Sequence, residues 1–294
     1  MWAPISAECY QETFNRYGGS LAVHPNVVHL VEGLGRRPAR YMGVEKDGTI
    51  VAAVPLWGEH ILATRPALDH YGQGSMFDIG NHEIVLPMSY NAISVPFTAN
   101  NLSPLHEGVI ANLVPQGQMI LAKGFRTGAI RRSPKSQFNL RYLWRRLQDA
   151  GAQCHPVNAM TADALASLYI SLFRKRWQRS PLGTENLPDA LRALNGLLCG
   201  FVLSFGEGPI AVQLLFKVET PHWVLVDFVN QGVDPAFFSY SPGSVLLYLN
   251  LLQLEDEAIS VGKELRFSFG YNDAPYKEQW GYPMSCYRTS ASGL

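Results

Sequence analysis

The sequence predicts an α+β protein built from two similar halves, because the same order of segments occurs twice. In each half, helical segments precede two apolar runs joined by a glycine-containing turn, at 46–48 in the first half and at 206–208 in the second. Such turns between apolar runs are strong signals of an antiparallel hairpin. The second half adds a third strand, a long helix and a further strand, so that the helix crosses the sheet. We therefore predict mixed, largely antiparallel sheets flanked by helices, and a divergent duplication.

A basic stretch separates the two halves. No acidic residue occurs between positions 123 and 148, and the basic residues there are Lys123, Arg126, Arg131, Arg132, Lys135, Arg141, Arg145 and Arg146. Glycine, serine and proline are frequent in its first part, whereas 139–148 has the pattern of a helix. We predict an N-terminal domain at 1–122, a basic linker with a helix at 123–150, and a C-terminal domain at 151–294.

Composition and charge limit the classes of partner. The 294 residues are 47% hydrophobic, which is ample for a sizeable core. The formal net charge is zero, so no overall field attracts nucleic acid, and we expect no DNA partner. The four cysteines lie far apart without a CxxC pair and the histidines are scattered, so we expect reduced thiols and no metal site.

The N-terminus indicates where the protein acts. Its first residues, MWAPISAECYQETF, have neither the basic start nor the apolar run of a secretory signal. No stretch approaches the roughly 18 apolar residues that a membrane span needs. We expect a cytoplasmic protein, for which contact with the inner membrane would be peripheral.

The segment from 237 to 281 contains the clearest helix boundaries. Ser241 is predicted to cap the helix through its hydroxyl, with Pro242 at the first helical position and Gly262 as the stop after residue 261. The strand that follows, at 265–269, alternates apolar and polar residues. A small-residue helix start after a strand can bind an anion on its free N–H groups, although many such starts are simple caps.

This order of elements resembles the GNAT acyltransferase fold. The matching pieces are the strand at 223–229, the helix start at 239–244 and the strand at 265–269. The resemblance implies that the two strands splay apart, that the acyl carrier lies between them, and that its phosphates meet the helix start. The implied donor-binding residues are Ser239, Ser241, Gly243 and Ser244. The chain lacks the Arg/Gln-x-x-Gly-x-Gly/Ala loop of ordinary GNAT enzymes, which puts a standard acetyl-CoA grip in doubt.

A narrower similarity is to the tandem-GNAT branch that includes the FemAB-like aminoacyltransferases. It rests on the Ser-Pro-Gly helix start and on FGYNDAPYKEQWG at 269–281, where the aromatic–lysine pair Tyr276-Lys277 precedes Trp280 by three residues. The resemblance implies two tandem GNAT-like domains, the first of them degenerate. It implies acyl-CoA or aminoacyl-tRNA as the donor, without a metal, and makes tRNA a possible partner.

Three residues are candidates for catalysis, each with a plain alternative. Lys277 can neutralise a phosphate or the developing oxyanion of acyl transfer, or it is a solvated loop lysine. Tyr276 can protonate a leaving group, or it is a packed aromatic. Asp227 lies in mid-strand among apolar side chains, where a raised pKa would suit a base, or its carboxylate is paired with an arginine or a backbone N–H.

Three phrases, at 17–28, 52–58 and 77–87, resemble the macrophage-inducible Mig-fourteen family of Gram-negative bacteria. This likeness extends over nearly the whole chain. The family implies resistance to cationic antimicrobial peptides and an association with the inner membrane, but not a reaction. Two hypotheses follow: a transferase that acylates a small-molecule or lipid-linked envelope acceptor, or a non-catalytic GNAT-derived protein that binds peptide, lipid or a partner.

The basic stretch at 123–146 has three interpretations. Its charges can contact anionic lipid, at roughly 1 kcal/mol for each Lys or Arg near the surface. They can bind the phosphates of a carrier, a nucleotide sugar or tRNA. They can also form a solvated linker that pairs with acids elsewhere. Apolar side chains interleave with the charges, namely Leu140, Tyr142, Leu143 and Trp144.

Overall fold

The computed structural model describes residues 1–89, 91–124, 132–206 and 208–290. The α-helices are α1 (Ala7–Tyr17), α2 (Pro25–Gly35), α3 (Arg65–His70), α4 (Pro134–Asp149), α5 (Ala162–Trp177), α6 (Leu187–Ala193) and α7 (Pro242–Ser260). The strands are β1 (Trp2–Pro4), β2 (Arg40–Lys46), β3 (Thr49–Trp57), β4 (His60–Ile61), β5 (Leu113–Ala122), β6 (Ala152–Pro156), β7 (Leu198–Cys199), β8 (Phe201–Phe205), β9 (Gly208–Glu219), β10 (Trp223–Val233), β11 (Glu264–Tyr271) and β12 (Tyr282–Thr289).

The strands form two sheets. The first has the order β1-β2-β3-β4, and the second has the order β12-β5-β11-β10-β9-β8-β6, with β7 paired to β9. The pairs within both sheets are antiparallel except β10 and β11, which run parallel because α7 returns the chain across the sheet. The α+β class and the mixed, largely antiparallel sheets predicted from the sequence are confirmed.

The second sheet is covered on both faces, as the side chains of β9 demonstrate. Val212, Leu214 and Phe216 belong to a core that includes the first half of the chain together with α5 and α6. Ala211 and Leu215, which point to the opposite face, belong to a core formed with α4 and α7. Helix α7 packs against this second face of the sheet on one side and against α4 on the other, so it is buried over most of its circumference.

The first half of the chain completes the sheet of the second half. Strand β5, which lies within the predicted 1–122 domain, inserts between β11 and β12 and pairs antiparallel with both. The large sheet therefore crosses the boundary drawn at residue 122. Local patterns predict that 119–122 is a strand, but they carry no information about which distant strands it joins.

Several local predictions need correction. Residues 83–87 have the sequence pattern of a short strand, but the structure has only an isolated bridge there, between Ile84 and Leu102. The sequence also suggests a helix near 103–113, where the structure has a single short turn at Pro104–His106, capped by the Ser103 hydroxyl. The basic stretch does form a helix, α4, which packs against α7 and begins at Pro134 rather than near 139. Arg126 and Arg131 lie outside the described residues.

Candidate functional site

A cleft opens where β10 and β11 part. The parallel pairing of the two strands runs from Trp223 opposite Glu264 to Asp227 opposite Ser268, and a bulge follows in the pairing of β10 with β9. The cleft beyond that point has a volume of about 410 Å³ and is lined from both strands by Phe228, Val229, Asn230, Phe269, Gly270 and Tyr271. Because side chains and backbone of both strands face it, this opening is the natural place for an extended ligand.

Lys277, a catalytic candidate from the sequence, lines this cleft. Its ammonium group donates to the Tyr271 carbonyl oxygen at 2.9 Å and forms an ion pair with Asp273 Oδ1 at 2.6 Å. The lysine side chain is only 12% exposed, whereas that of Asp273 is 66% exposed. An ammonium group has three donors, so these two contacts fix its position and leave one N–H available to a ligand.

Tyr276 also lines the cleft, next to Lys277. Its side chain is 40% exposed, and partial burial raises the pKa of the hydroxyl, a shift that the nearby Arg176 guanidinium opposes. The phenol therefore keeps its proton at neutral pH and can act as a hydrogen-bond donor rather than as a base.

Asp227 lies outside the main cleft. Its carboxyl group lines a separate small cavity together with Thr64, His82 and Asn101. Burial raises its pKa well above the ordinary value, and the charge of Glu83 raises it further. The raised pKa agrees with the sequence prediction, but the position separates this group from Lys277 and Tyr276.

Replacing Asp227 with asparagine should stabilise the protein at neutral pH, by about 1.4 kcal/mol for each pH unit by which folding raises the pKa of this carboxyl group. The folded state holds the Asp227 proton more tightly than the unfolded state does. Above the ordinary pKa of an aspartate, unfolding therefore releases that proton, and the wild type loses stability as the pH rises. Urea unfolding of both proteins between pH 4 and 8 should give a gap that grows with pH. A gap that shrinks with pH would contradict the assignment.

The start of α7 lies away from the cleft lining. Ser241 caps the helix with a left-handed backbone, φ 49°, and its side chain makes no cap hydrogen bond among the described residues. The predicted hydroxyl cap is wrong, because a side-chain cap forms from an extended backbone and that of Ser241 is left-handed. Its carbonyl oxygen accepts the N–H groups of Ser244 and Val245, each at 3.0 Å. Gly243 is buried, and its carbonyl oxygen accepts a hydrogen bond from Gln213 at 3.0 Å.

The four predicted donor-binding residues thus form one helix start, but they do not join Lys277 and Tyr276. Ser239 and Ser241 are exposed, Ser244 is half-buried, and the cleft lining includes none of the four. A Cβ on Gly243 would lie 2.9 Å from Gln231 Oε1 and 3.1 Å from Val233 Cγ2, so the helix start packs closely against β10. The predicted role in binding donor phosphates stays a prediction.

The cleft contains residues that the catalytic predictions missed. The first half contributes Gly80, Asn81 and His82, and the end of α5 contributes Trp177 and Arg179. The sequence signal for the first group was the phrase at 77–87 that carries the family resemblance. The sequence alone favours a structural role for the neighbouring Arg174, Lys175 and Arg176, because cations at a helix end interact well with its dipole.

A buried ion pair holds the first-half segment against β11. Arg266 of β11 donates to both carboxylate oxygens of Glu83, which also accepts the hydroxyl of Ser103. The side chains of Arg266 and Glu83 are 3% and 5% exposed. The neighbouring residue, His82, approaches Ser268 Oγ of β11 at 3.1 Å through its Nδ1. Both halves therefore build the cleft.

Trp280, the third aromatic of the predicted motif, belongs to the core. Its side chain is 2% exposed, and the Arg132 guanidinium lies 3.8 Å from the centre of its ring. Within the described parts of the chain, no group of three or more His, Cys, Asp or Glu residues is placed to hold a metal ion. Nor does any described helix have the length and apolar character that crossing a bilayer requires.

Comparison with known proteins identifies the fold and the family. The crystal structure of FemX matches with a TM-score of 0.57 at 9% identity, covering 99% of this chain and 98% of that chain. The structure of L-PGS from Bacillus licheniformis matches with a TM-score of 0.50 at 12% identity, covering 98% and 93%. A conserved protein of unknown function from Bacteroides thetaiotaomicron has a TM-score of 0.50 at 10% identity, covering 98% of each chain.

These identities are low, so the likeness establishes the fold and not the reaction. It confirms the fold predicted from the sequence, which the chain shares with FemX over nearly its whole length. No curated protein matches the chain. The Mig-14 family model matches residues 24–289, which is nearly the whole chain, and the chain therefore belongs to the Mig-14 family.

Proposed function

We propose that the protein is an acyl- or aminoacyltransferase whose reaction takes place in the cleft between β10 and β11. The observation that carries this proposal is the joint presence in that cleft of a fixed ammonium group, Lys277, and a protonated phenol, Tyr276. An amine or hydroxyl acceptor would attack an activated carbonyl there. The lysine would stabilise the developing oxyanion and the tyrosine would protonate the leaving group.

The donor is acyl-CoA or aminoacyl-tRNA, and the acceptor is a small-molecule or lipid-linked precursor of the cell envelope. Transfer of an aminoacyl group to such a precursor would add an ammonium charge and reduce the attraction of cationic antimicrobial peptides. This step rests on the family to which the chain belongs. A cleft that holds donor and acceptor in line favours acyl transfer, because such positioning accounts for much of the rate enhancement of these enzymes.

A second candidate function is a non-catalytic one, in which the protein binds peptide, lipid or a partner. The observation that favours it is that the residues lining the cleft with Lys277 do not include the start of α7, where the phosphate site was expected.

Thermal unfolding in the presence of coenzyme A, acetyl-CoA and charged tRNA tests the two functions against each other. A transferase should be stabilised by its donor, by about 2.7 kcal/mol when the ligand is present at 100 times its Kd. Binding should be weakened in Lys277→Met, which removes a cation from the cleft, and unchanged in Lys263→Met, whose lysine forms a surface pair with Glu219. If none of these ligands stabilises the protein, the transferase proposal fails and the binding function is favoured.

We also propose that the exposed face of α4 docks on an anionic membrane surface. Phe138 is 65% exposed and Tyr142 is 51% exposed, and both lie among the exposed basic residues Lys135, Arg141 and Arg145. Aromatic rings and cations on one helix face suit the interface of an anionic bilayer. This arrangement supports a peripheral location at the inner membrane for an otherwise cytoplasmic protein.

Reversing the charge of Arg141 and Arg145 should weaken binding to phosphatidylglycerol vesicles by about 30-fold or more, at roughly 1 kcal/mol for each charge removed. Phe138→Ser should weaken binding at every salt concentration, because its contribution is apolar. The matched control is Lys46→Glu in the exposed hairpin turn of the first sheet. Co-sedimentation at rising salt measures the effect, and binding that is absent, or that Lys46→Glu reduces equally, would contradict the proposal.

A further inference from the structure

His82 combines a buried position with an unused hydrogen-bonding atom. The residue is 5% exposed and lines both the main cleft and the small cavity that contains Asp227. Its Nδ1 contacts Ser268 Oγ, whereas its Nε2 has no hydrogen-bond partner among the described residues. A buried polar atom without a partner is costly, so its retention calls for an explanation.

Two glycines keep the backbone around this imidazole free of side chains. Gly80 has a φ of 68°, and a Cβ at this position would collide with His82 Nε2. Gly270 on β11 has a φ of 72°, and a Cβ there would lie 2.8 Å from the Asn81 carbonyl oxygen. Both positions favour glycine by conformation as well as by space. The imidazole is thus held at the point where the strands part.

The hydrogen bonds of Ser268 determine which nitrogen of His82 carries the proton. Ser268 Oγ accepts the N–H of Gly270 at 3.2 Å. Its single hydroxyl proton can then be donated to His82 Nδ1, which satisfies both groups. The opposite tautomer would direct two donors at Ser268 Oγ and leave the hydroxyl proton without an acceptor among its described contacts. The proton of the neutral ring therefore lies on Nε2.

The charge state of the ring favours a donor over a base. Burial, followed by the positive charge of Lys277, lowers the pKa of His82 to about 3. A base with so low a pKa takes up protons poorly near pH 7, since catalysis is best when the pKa lies close to the working pH. A neutral imidazole N–H can still polarise a carbonyl oxygen, and it stays neutral over the whole physiological range.

We propose that His82 is a hydrogen-bond donor of the cleft, which presents its Nε2–H to a carbonyl oxygen of the bound ligand, and that Ser268 is the positioning residue that fixes this tautomer. The inference rests on the proposed acyl transfer for the identity of that oxygen, which would be the acyl carbonyl of the donor. It adds a donor from the first half of the chain to those of Lys277 and Tyr276. The tautomer itself does not depend on the proposed function.

Nitrogen-15 NMR of the histidine rings tests the first part in the unliganded protein, with His82→Gln used to assign the signal. We expect the Nε2–H tautomer and no titration between pH 5.5 and 8.5. The Nδ1–H tautomer, or a titration near the ordinary histidine pKa, would overturn the proposal. The proposal would also fail if Asp227→Asn changes the Nε2–H signal while ligand binding does not. The proton would then be donated into the small cavity that contains Asp227.

Ligand binding tests the second part, with acetyl-CoA and a 3′-aminoacylamino-adenosine as probes. Whichever probe binds should shift the Nε2–H proton signal, and binding without that shift overturns the role of His82 while the proposed function stands. If neither probe binds, the donor role of His82 and the proposed transferase function both fail.

Two variants separate the donor from a structural role. His82→Gln places an amide N–H near the position of Nε2. The shorter side chain of His82→Asn can still accept the Ser268 hydroxyl, but it has no N–H near the position of Nε2. We expect His82→Asn to weaken probe binding about 5- to 10-fold, and to lower a measured transfer rate about 100-fold, with His82→Gln much closer to wild type. Thermal unfolding of the two variants controls for loss of structure. Equal binding by both variants and the wild type would contradict the proposal.

Discussion

Replacing Arg266 with methionine should lower the free energy of unfolding by about 3–5 kcal/mol, because it leaves the buried carboxylate of Glu83 without its cation. The loss should be large since Glu83 joins the first half of the chain to β11 and has little water around it to replace the guanidinium. Urea denaturation measures the change as a lower midpoint with an unchanged slope.

Two further variants decide whether burial of the charge is the cause. Lys263, just before β11, forms a surface pair with Glu219 at the end of β9. Lys263→Met breaks that pair and should cost no more than about 1 kcal/mol. The double variant Glu83→Gln with Arg266→Met removes both charges, while the amide oxygen still accepts the Ser103 hydroxyl. It should recover much of the lost stability. If Arg266→Met lowers the free energy of unfolding by less than about 1 kcal/mol, the unpaired buried charge of Glu83 is not the cause of a large destabilisation.

The elements of this fold that local patterns determine could be predicted from the sequence. The hairpin of β2 and β3 follows from the Asp47-Gly48 turn between apolar runs. The boundaries of α7 follow from Pro242 at its start and Gly262, with a φ of 69°, after its end. The parting of β10 and β11 followed from the family resemblance and agrees with the observed cleft.

The residues that the sequence could not assign are those placed by contacts between distant parts of the chain. His82 meets Ser268 across 186 positions, and no periodicity in the sequence connects them. Burial raises the pKa of Asp227, in keeping with its apolar strand, but that strand alone could not indicate which cavity the residue lines. The position of the α7 start relative to the cleft is likewise a property of how whole elements pack.

Replacing Lys277 with methionine should lower the rate of acyl transfer by about 10²- to 10³-fold, the usual cost of losing one oxyanion donor. Methionine has a similar length and a flexible side chain that can occupy the position of Lys277 beside Tyr276, so the variant should fold normally. The measurements are transfer of a labelled acyl or aminoacyl group in vitro and survival of cells challenged with a cationic antimicrobial peptide. A folded Lys277→Met protein that gives full peptide resistance would rule out the catalytic role.

Asp273→Asn distinguishes a lysine that contacts the ligand from one that only shapes the loop. Asp273 forms an ion pair with Lys277, but its side chain is 66% exposed, so water replaces much of the lost interaction. The bond from Lys277 to the Tyr271 carbonyl oxygen still holds the ammonium group in the cleft. Asp273→Asn should therefore change the transfer rate by no more than about 3-fold. If it is as damaging as Lys277→Met, the ion pair shapes the loop and the oxyanion is stabilised by other donors.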